Sequence, residues 1–426
     1  KETVEEAVCG ISDGFCDHSV GRRHYMITLL SLIAGPMLDR PIDEPKLPQS
    51  VTPDGILLHH EIEYSDGTRL LLGKPTPFVG RDPELLMLEA LLRSCVTESR
   101  AQGVLVVAPP GMGKSRLRHE FLKRAQAQGI PALVLQGRAS PLSAGSPYSA
   151  LAHALRGWCG TQRGEALSTQ QAKLQNRLTE YVPTSELARV SEFLGELCGI
   201  PFPDEHSVPL LAARRDPKLM HDQLRQAFID FVRSVCTKLP LLLVVDDLHW
   251  EGALSINLLG DALAELAELP FMVLALARPE LKELFPSLWS GGAQELQLGG
   301  LGRRAAERLC RQILGDDLAP AVLARIIERA TGNALYLEEL IRATVESSEA
   351  DRPGTVMAML QARILRLDVA ARQALRAASI LGENFWRGGL QALLGTESAS
   401  ASFDSLLKRL TAAENIEPRQ ESRFAG

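Results

Sequence analysis

The sequence predicts an α/β fold: a five-stranded parallel sheet with helical crossovers, a large helical insertion and a helical C-terminal part. Three observations predict it. Five short apolar runs, Val104–Val107, Ala132–Leu135, Leu241–Val245, Phe271–Leu276 and Glu295–Leu298, lie far apart, and each but the last is followed by helix-like sequence. That alternation is the mark of parallel strands joined by crossover helices. Between the second and third runs, about a hundred residues carry helical periodicity throughout, as in Tyr148–Trp158 and Leu219–Cys236. After Leu301 the apolar spacing is again helical, in Ala305–Leu314, Pro320–Ala330, Leu335–Val345, Met357–Leu367 and Ala371–Leu381.

Composition sets the outer bounds. A chain of 426 residues implies two or three domains. Hydrophobic residues make up 45% and charged ones 23%, ordinary for a folded protein, while aromatics at 5% leave the cores to Leu, Ala, Val and Ile. The net charge of −6 argues against nucleic acid or an anionic membrane as the main partner. Residues 301–426 are balanced, with 17 basic and 16 acidic side chains, so this helical part has no electrostatic footprint for DNA. The seven cysteines (Cys9, Cys16, Cys95, Cys159, Cys198, Cys236, Cys310) form no CxxC pair and no zinc-spaced cluster, which fits reduced thiols and a cytoplasmic setting. The longest apolar run, Met26–Met37, is too short to span a membrane and contains Gly35 and Pro36; no small-residue cleavage site marks it as a signal peptide. Starting at Lys1 and stopping at Gly426 within a polar stretch, the chain reads as a piece of a longer protein.

Residues 1–74 read as a linker or the tail of an upstream domain. A short helix is expected around Met26–Ile33, followed by a stretch held irregular by Pro36, Pro41, Pro45, Pro48 and Pro53. Ile56–Leu58 and Thr68–Leu72 are expected to be two strands of a small sheet. From Phe78 the α/β pattern begins, with Asp82 as the expected N-cap of a helix whose apolar positions are Leu85, Leu86, Leu88, Leu91 and Leu92. The expected domains are therefore 75–299 for the sheet, 300–350 for a helical lid and 351–426 for a further helical domain.

The most specific signal is Ala108-Pro-Pro-Gly-Met-Gly-Lys-Ser115, which follows an apolar run and opens a helix, Ser115–Ala127. This is a Walker A phosphate-binding loop with Ala108 in place of its first glycine. Gly111 and Gly113 let the backbone curl until successive N–H groups face phosphate oxygens, with Pro110, Met112 and Arg116 completing the cradle. Lys114 supplies a point charge for the β- and γ-phosphates, Ser115 a hydroxyl for Mg²⁺, and the helix N-terminus a partial positive charge. Leu241-Leu-Leu-Val-Val-Asp-Asp247 is a buried-strand run ending in two carboxylates, a Walker B pattern. Asp246 is expected to hold Mg²⁺ and Asp247 to polarise the attacking water, so that the ligands are ATP or ADP with Mg²⁺. His249 and Trp250 are expected to pack beside the site. The fourth run ends at Arg278, placed to reach a γ-phosphate.

Taken in order, Phe78-Val-Gly-Arg81, the Walker A loop, Val244-Val-Asp-Asp-Leu-His-Trp250, Ala277-Arg-Pro-Glu280 and Thr331-Gly-Asn-Ala-Leu-Tyr-Leu-Glu-Glu339 resemble the motifs of STAND-type signalling ATPases. These AAA-like P-loop NTPases are fused to bacterial Ser/Thr kinases, nucleotide cyclases and LuxR-type regulators. The resemblance covers about 78–345 and extends more loosely to 426. It implies that Val79, Gly80 and Arg81 lie over adenine and ribose, and that Arg278 senses the γ-phosphate. It also implies that Gly332 and Asn333 open a lid motif in which Ala334 replaces the usual proline. From about 355 it implies a winged helix with Phe385 and Trp386 in its core, cut short so that Leu390, Leu393, Leu406 and Leu407 are uncovered. The run Arg69–Arg81 resembles the join between a kinase's downstream region and its ATPase module. The implied partners are an upstream kinase or cyclase domain and downstream sensor repeats in the parent chain; ATP-driven self-association stays open. No kinase catalytic motif lies within the chain. A slow regulatory ATPase is the first reading. A DNA-handling AAA ATPase of the origin-recognition or loader kind and a nucleotide-binding scaffold without turnover are the alternatives.

Overall fold

The computed structural model describes residues 70–140, 146–161, 165–205, 207–285, 289, 293–346, 361, 364–365, 367–381, 385, 387–394, 400–412 and 415–416. The chain divides into two compact units, one comprising Phe78–Ala306 with Thr331–Ala334, the other the remaining residues.

The first unit is built on a five-stranded sheet. Its strands are β3 (Gln102–Val107), β4 (Leu133–Arg138), β5 (Leu241–Asp246), β6 (Phe271–Ala277) and β7 (Ala293–Gln297). They lie in the order β4-β5-β6-β3-β7, every neighbouring pair parallel. The expected five-stranded parallel sheet is therefore present. The register sets Val107 opposite Ala277, and Arg138 opposite Asp246. All four of those strands thus end at one edge, the edge where ligands bind in open α/β sheets.

Continuous apolar runs suit strands covered on both faces. On one face, Val104, Val106, Leu242, Val244, Met272 and Leu274 pack with helices α1 (Asp82–Thr97) and α2 (Lys114–Ala127). On the other, Leu105, Leu243, Val245, Phe271 and Val273 join a larger core. That core includes the insertion helices α3 (Ser149–Cys159), α4 (Leu167–Thr179), α5 (Thr184–Cys198), α6 (Val208–Arg215) and α7 (Pro217–Cys236), followed by α8 (Ala253–Glu265) and the short α9 (Glu280–Leu284). Among its described residues the insertion between β4 and β5 is made of helices and connecting loops with no strand, as its periodicity predicts. α7 shows why the chain turns helical there. Asp216 caps it by accepting from Lys218 N at 2.9 Å and Leu219 N at 3.4 Å, and Pro217 occupies the first turn.

Two local expectations are corrected. Asp82 is the first residue of α1 rather than its cap: Arg81 holds the cap position without a side-chain bond, while Asp82 and Glu84 complement the helix N-terminus. β7 runs Ala293–Gln297, two residues ahead of the expected start, because every residue of this edge strand is at least partly exposed and the buried Leu298 lies just past the pairing.

In the second unit, β1 (Leu70–Leu71) and β2 (Lys74–Pro75) form an antiparallel hairpin. The Thr68–Leu72 run thus finds its partner four residues on; Ile56–Leu58, like the Met26–Ile33 helix, lies outside the described residues. Lys74 Nζ donates to Ile313 O at 2.6 Å near the end of α10 (Arg303–Leu314), and Arg342 Nη2 to Leu70 O at 3.4 Å. Leu71 is fully buried. The hairpin is therefore part of a packed unit with α11 (Pro320–Ala330) and α12 (Ala334–Glu346), which carries Arg342. In the same unit, α13 (Val369–Leu381), α14 (Arg387–Leu394) and α15 (Ser400–Ala412) enclose Ala377, Ala378, Leu390 and Phe403. Leu390 is buried, and Leu393, Leu406, Leu407 and Phe385 are partly buried against these clusters, so the leucines expected to be uncovered are packed. Trp386 lies outside the described residues. Among the described residues, no helix is long and apolar enough to cross a membrane.

Candidate functional site

The loop between β3 and α2 has the backbone that its glycines foretell. Gly111 (φ 81°) and Gly113 (φ 94°) both occupy the left-handed region that a Cβ disfavours. Gly113 caps α2, no side chain caps the helix, and a side chain at Gly113 would meet nothing within 4 Å. The first-turn N–H groups of α2 therefore take no bond from a cap side chain. Ser115, in the first turn, is exposed. Arg116 pairs with Glu120 along α2 at 3.2 Å. Lys114 folds back over its own loop, donating to Ala108 O at 2.6 Å and Pro109 O at 3.2 Å. Burial pulls its ammonium below the ordinary lysine value and Arg278 adds to this, while Asp247, Asp246 and Glu280 oppose it.

Both acids stand at the end of β5. Asp246 is 3% exposed, and its Oδ1 accepts from Asp247 N at 3.0 Å. Its Oδ2 lies 3.5 Å from Arg118 Nη1, a buried guanidinium on α2. Burial raises the Asp246 carboxyl above the usual aspartate range; Arg118 pulls it back and Asp247 pushes it further. Asp247 has φ 58°, a conformation aspartate tolerates better than most residues, and its Oδ2 lies 3.5 Å from Arg138 Nε at the end of β4.

A short 3₁₀ turn, Leu248–Trp250, follows. Arg278, the residue after β6, is buried with its guanidinium 5.7 Å from the Trp250 ring centroid. His249 packs on Trp250, and neither of its buried ring nitrogens has a protein hydrogen-bond partner. Burial first, then the cations of Arg278 and Lys114, push its pKa down to about 3, so the imidazole is neutral at physiological pH.

Of the residues expected over the base, Val79 is buried and Gly80 precedes a committed arginine. Arg81 is 5% exposed; it donates to Met112 O at 3.1 Å and Gly299 O at 2.6 Å and pairs with Glu84 at 3.1 Å. From the far end of the unit, Asn333 Nδ2 donates to Pro110 O at 3.1 Å. One sheet edge thus brings together the loop of Pro110, Gly111, Met112, Gly113, Lys114 and Ser115 with Asp246, Asp247 and Arg278.

Arg118, Arg138 and Glu251 were not singled out from the sequence. Arg118 carried a faint signal, a charge three residues after Ser115 on the face of α2 that must meet the sheet. Arg138 ends an apolar run after Gly137, where a charged side chain is unremarkable in sequence. Glu251 carried none.

Residues 77–276 match the AAA ATPase domain. The matched span contains the phosphate loop and both acids and stops just short of Arg278. Over 345 residues the chain is 26% identical to an uncharacterized protein of Rhizobium meliloti (strain 1021), covering 76% of this chain and 32% of that protein. The chain therefore spans about a third of that curated relative's length. Among solved structures it is similar to a signal transduction ATPase with numerous domains carrying a tetratricopeptide repeat sensor, from Pyrococcus horikoshii (16% identity, TM-score 0.41, 80% of this chain and 40% of that one). It is also similar to the Aeropyrum pernix ORC1 protein in complex with DNA (15% identity, TM-score 0.40, 82% and 87%).

An AAA-type domain implies a nucleotide, usually with Mg²⁺, and the residues present fit both. The space over Gly113 and the uncapped start of α2 suit phosphate oxygens. An exposed Ser115 hydroxyl and the Asp246 carboxylate suit a Mg²⁺ ion that takes few protein ligands and completes its shell with phosphate and water. Among the described residues no group of three or more His, Cys, Asp or Glu gathers as an all-protein metal cage.

Proposed function

We propose that this chain is the nucleotide-switch module of a bacterial signalling protein: it binds ATP or ADP with Mg²⁺, turns ATP over slowly, and changes state with the γ-phosphate. The convergence of Lys114, Asp246, Asp247 and Arg278 at one sheet edge, with the Thr331–Ala334 turn bonded to the same loop through Asn333, carries the reading. Lys114 exchanges its two loop carbonyls for phosphate oxygens. Ser115 and Asp246 would hold the metal, Asp247 would orient water, and Arg278 would meet the γ-phosphate. The 331–334 turn follows α11 directly and leads into α12, so the chain itself offers a path from the loop to those helices. In the parent protein the switch sits between an upstream kinase-like effector and downstream sensor repeats, in the cytoplasm.

Two measurements on the purified chain test this: the nucleotide released on denaturation, and the ATP turnover rate. Retained ADP, with turnover far below the ~1–1,000 per second of ordinary enzymes, supports a switch. Lys114→Ala should abolish binding, and Asp247→Asn should keep binding while stopping turnover. An empty site with brisk, DNA-stimulated turnover would overturn the switch in favour of a loader. Bound ATP with no turnover in wild type or variant would favour a scaffold.

A further inference from the structure

A phosphate loop works when its peptide N–H groups face inward, and that requires its carbonyls to find partners on the outside. Here the carbonyls of Ala108, Pro109, Pro110 and Met112 all accept from side chains. Lys114 takes the first two, and phosphate competes for the same ammonium. The other two partners come from distant parts of the chain and have no such competitor: Asn333 Nδ2 at Pro110 O, 3.1 Å, and Arg81 Nη2 at Met112 O, 3.1 Å.

Both side chains are anchored for this task. The Arg81 guanidinium also bonds Gly299 O and Glu84, and is almost fully buried, so both its terminal nitrogens are committed to backbone and a neighbouring carboxylate. Asn333 follows Gly332, whose carbonyl accepts from Leu301 N at 2.8 Å. Its amide lies so close over the loop that a Cβ on Gly111 would stand 2.6 Å from Asn333 Oδ1. Gly111 thus serves two ends, its left-handed turn and the room it leaves for Asn333.

We propose that Arg81 and Asn333 are loop-positioning residues: they hold the carbonyls of Met112 and Pro110 outward, thereby set the inward N–H donors of the phosphate cradle, and do not read the base. This rests on the nucleotide-binding reading above. It departs from the role over adenine and ribose that the family resemblance implies for Arg81.

The test uses the whole chain and four probes: ATP, GTP, inorganic tripolyphosphate and adenosine, each competing against a fluorescent ATP analogue. Asn333→Ala and the milder Arg81→Lys, which keeps the charge but loses the fork, should each weaken ATP, GTP and tripolyphosphate by a common factor of about ten. That factor corresponds to one hydrogen bond to the backbone. The ATP/GTP preference and the affinity for adenosine should not move, whereas a general loss of structure would lower adenosine binding as well. A variant that loses ATP but retains tripolyphosphate, or whose ATP/GTP preference changes, overturns the proposal, as do variants that bind every probe like wild type. A wild-type chain that binds neither ATP nor tripolyphosphate fails earlier and overturns the nucleotide reading itself. If wild type binds ATP but tripolyphosphate does not compete, the nucleotide reading stands and the positioning proposal falls.

Discussion

Replacing Glu251 with alanine removes one carboxylate that closes three hydrogen bonds in a buried corner beside the site. Its Oε1 accepts from Ser149 Oγ and, at 2.7 Å, from Ala150 N at the start of α3, while its Oε2 accepts from Ser255 Oγ on α8 at 2.5 Å. Ser255 Oγ in turn accepts from Tyr148 N at 2.8 Å. Glu251 is 6% exposed and Ser255 2%. Hydrogen bonds to a charged acceptor contribute about 1.5–3 kcal/mol each. Half-buried Ser149 regains some of its loss from water, so the expected destabilisation is about 3–5 kcal/mol, at the high end for a single substitution. Glu251→Gln separates shape from charge. The amide retains the Oε1 acceptor and presents an N–H to Ser255 Oγ, which has a second lone pair beyond the one Tyr148 N uses. Because the buried Ser255 hydroxyl proton then loses its acceptor, the change should cost about 1–3 kcal/mol, less than alanine. Urea denaturation of the whole chain, followed by far-UV circular dichroism, reads both values. An alanine variant within about 1 kcal/mol of wild type would falsify the network's role. A glutamine variant as weak as alanine would show that charge, and not acceptor geometry, stabilises the corner.

Three further outcomes follow from the same geometry. With the folded pKa of His249 near 3 and the ordinary value at 6.5, the unfolded chain takes up this proton first as pH falls. Stability present above pH 6.5 should therefore drain away between about pH 6.5 and 3, by up to ~1.4 kcal/mol per unit, and His249→Phe should lower that slope by about one proton; identical slopes would sink the argument. Phe231, fully buried and 5.2 Å from the Trp158 ring centroid, should cost about 3–5 kcal/mol on change to alanine, and a urea midpoint near wild type would contradict its place in the insertion's core. Gly111→Ala combines a left-handed φ, disfavoured by about 1–2 kcal/mol, with displacement of Asn333. Calorimetric titration should find ATP affinity at least about ten-fold weaker, and an unchanged affinity would refute the tight approach.

How much of this was legible in the sequence follows from which interactions are local. The strands could be read because both faces of β3, β5 and β6 are covered, which leaves an uninterrupted apolar run each time; β7, half exposed at the edge, was misplaced for the opposite reason. The loop glycines and the paired aspartates could be read because their chemistry lies in consecutive residues. What stayed hidden are the partners that arrive from elsewhere. Arg138 reaches Asp247 because β4 pairs with β5 so that Arg138 stands opposite Asp246, a register that no spacing within either strand encodes. Glu251 caps α3 across about a hundred residues of insertion, and the second strand of the 70–75 hairpin, Lys74–Pro75, is too short to leave a period although the run it pairs with was legible. Arg81 shows the point most directly. Motif order put it beside the nucleotide, and its neighbourhood is indeed the loop, yet the carbonyls of Met112 and Gly299 that occupy its guanidinium are backbone atoms, identical at every residue and silent in sequence. A motif therefore locates a side chain near the chemistry, while whether it touches the ligand or the loop that holds the ligand depends on where the backbone carbonyls end up.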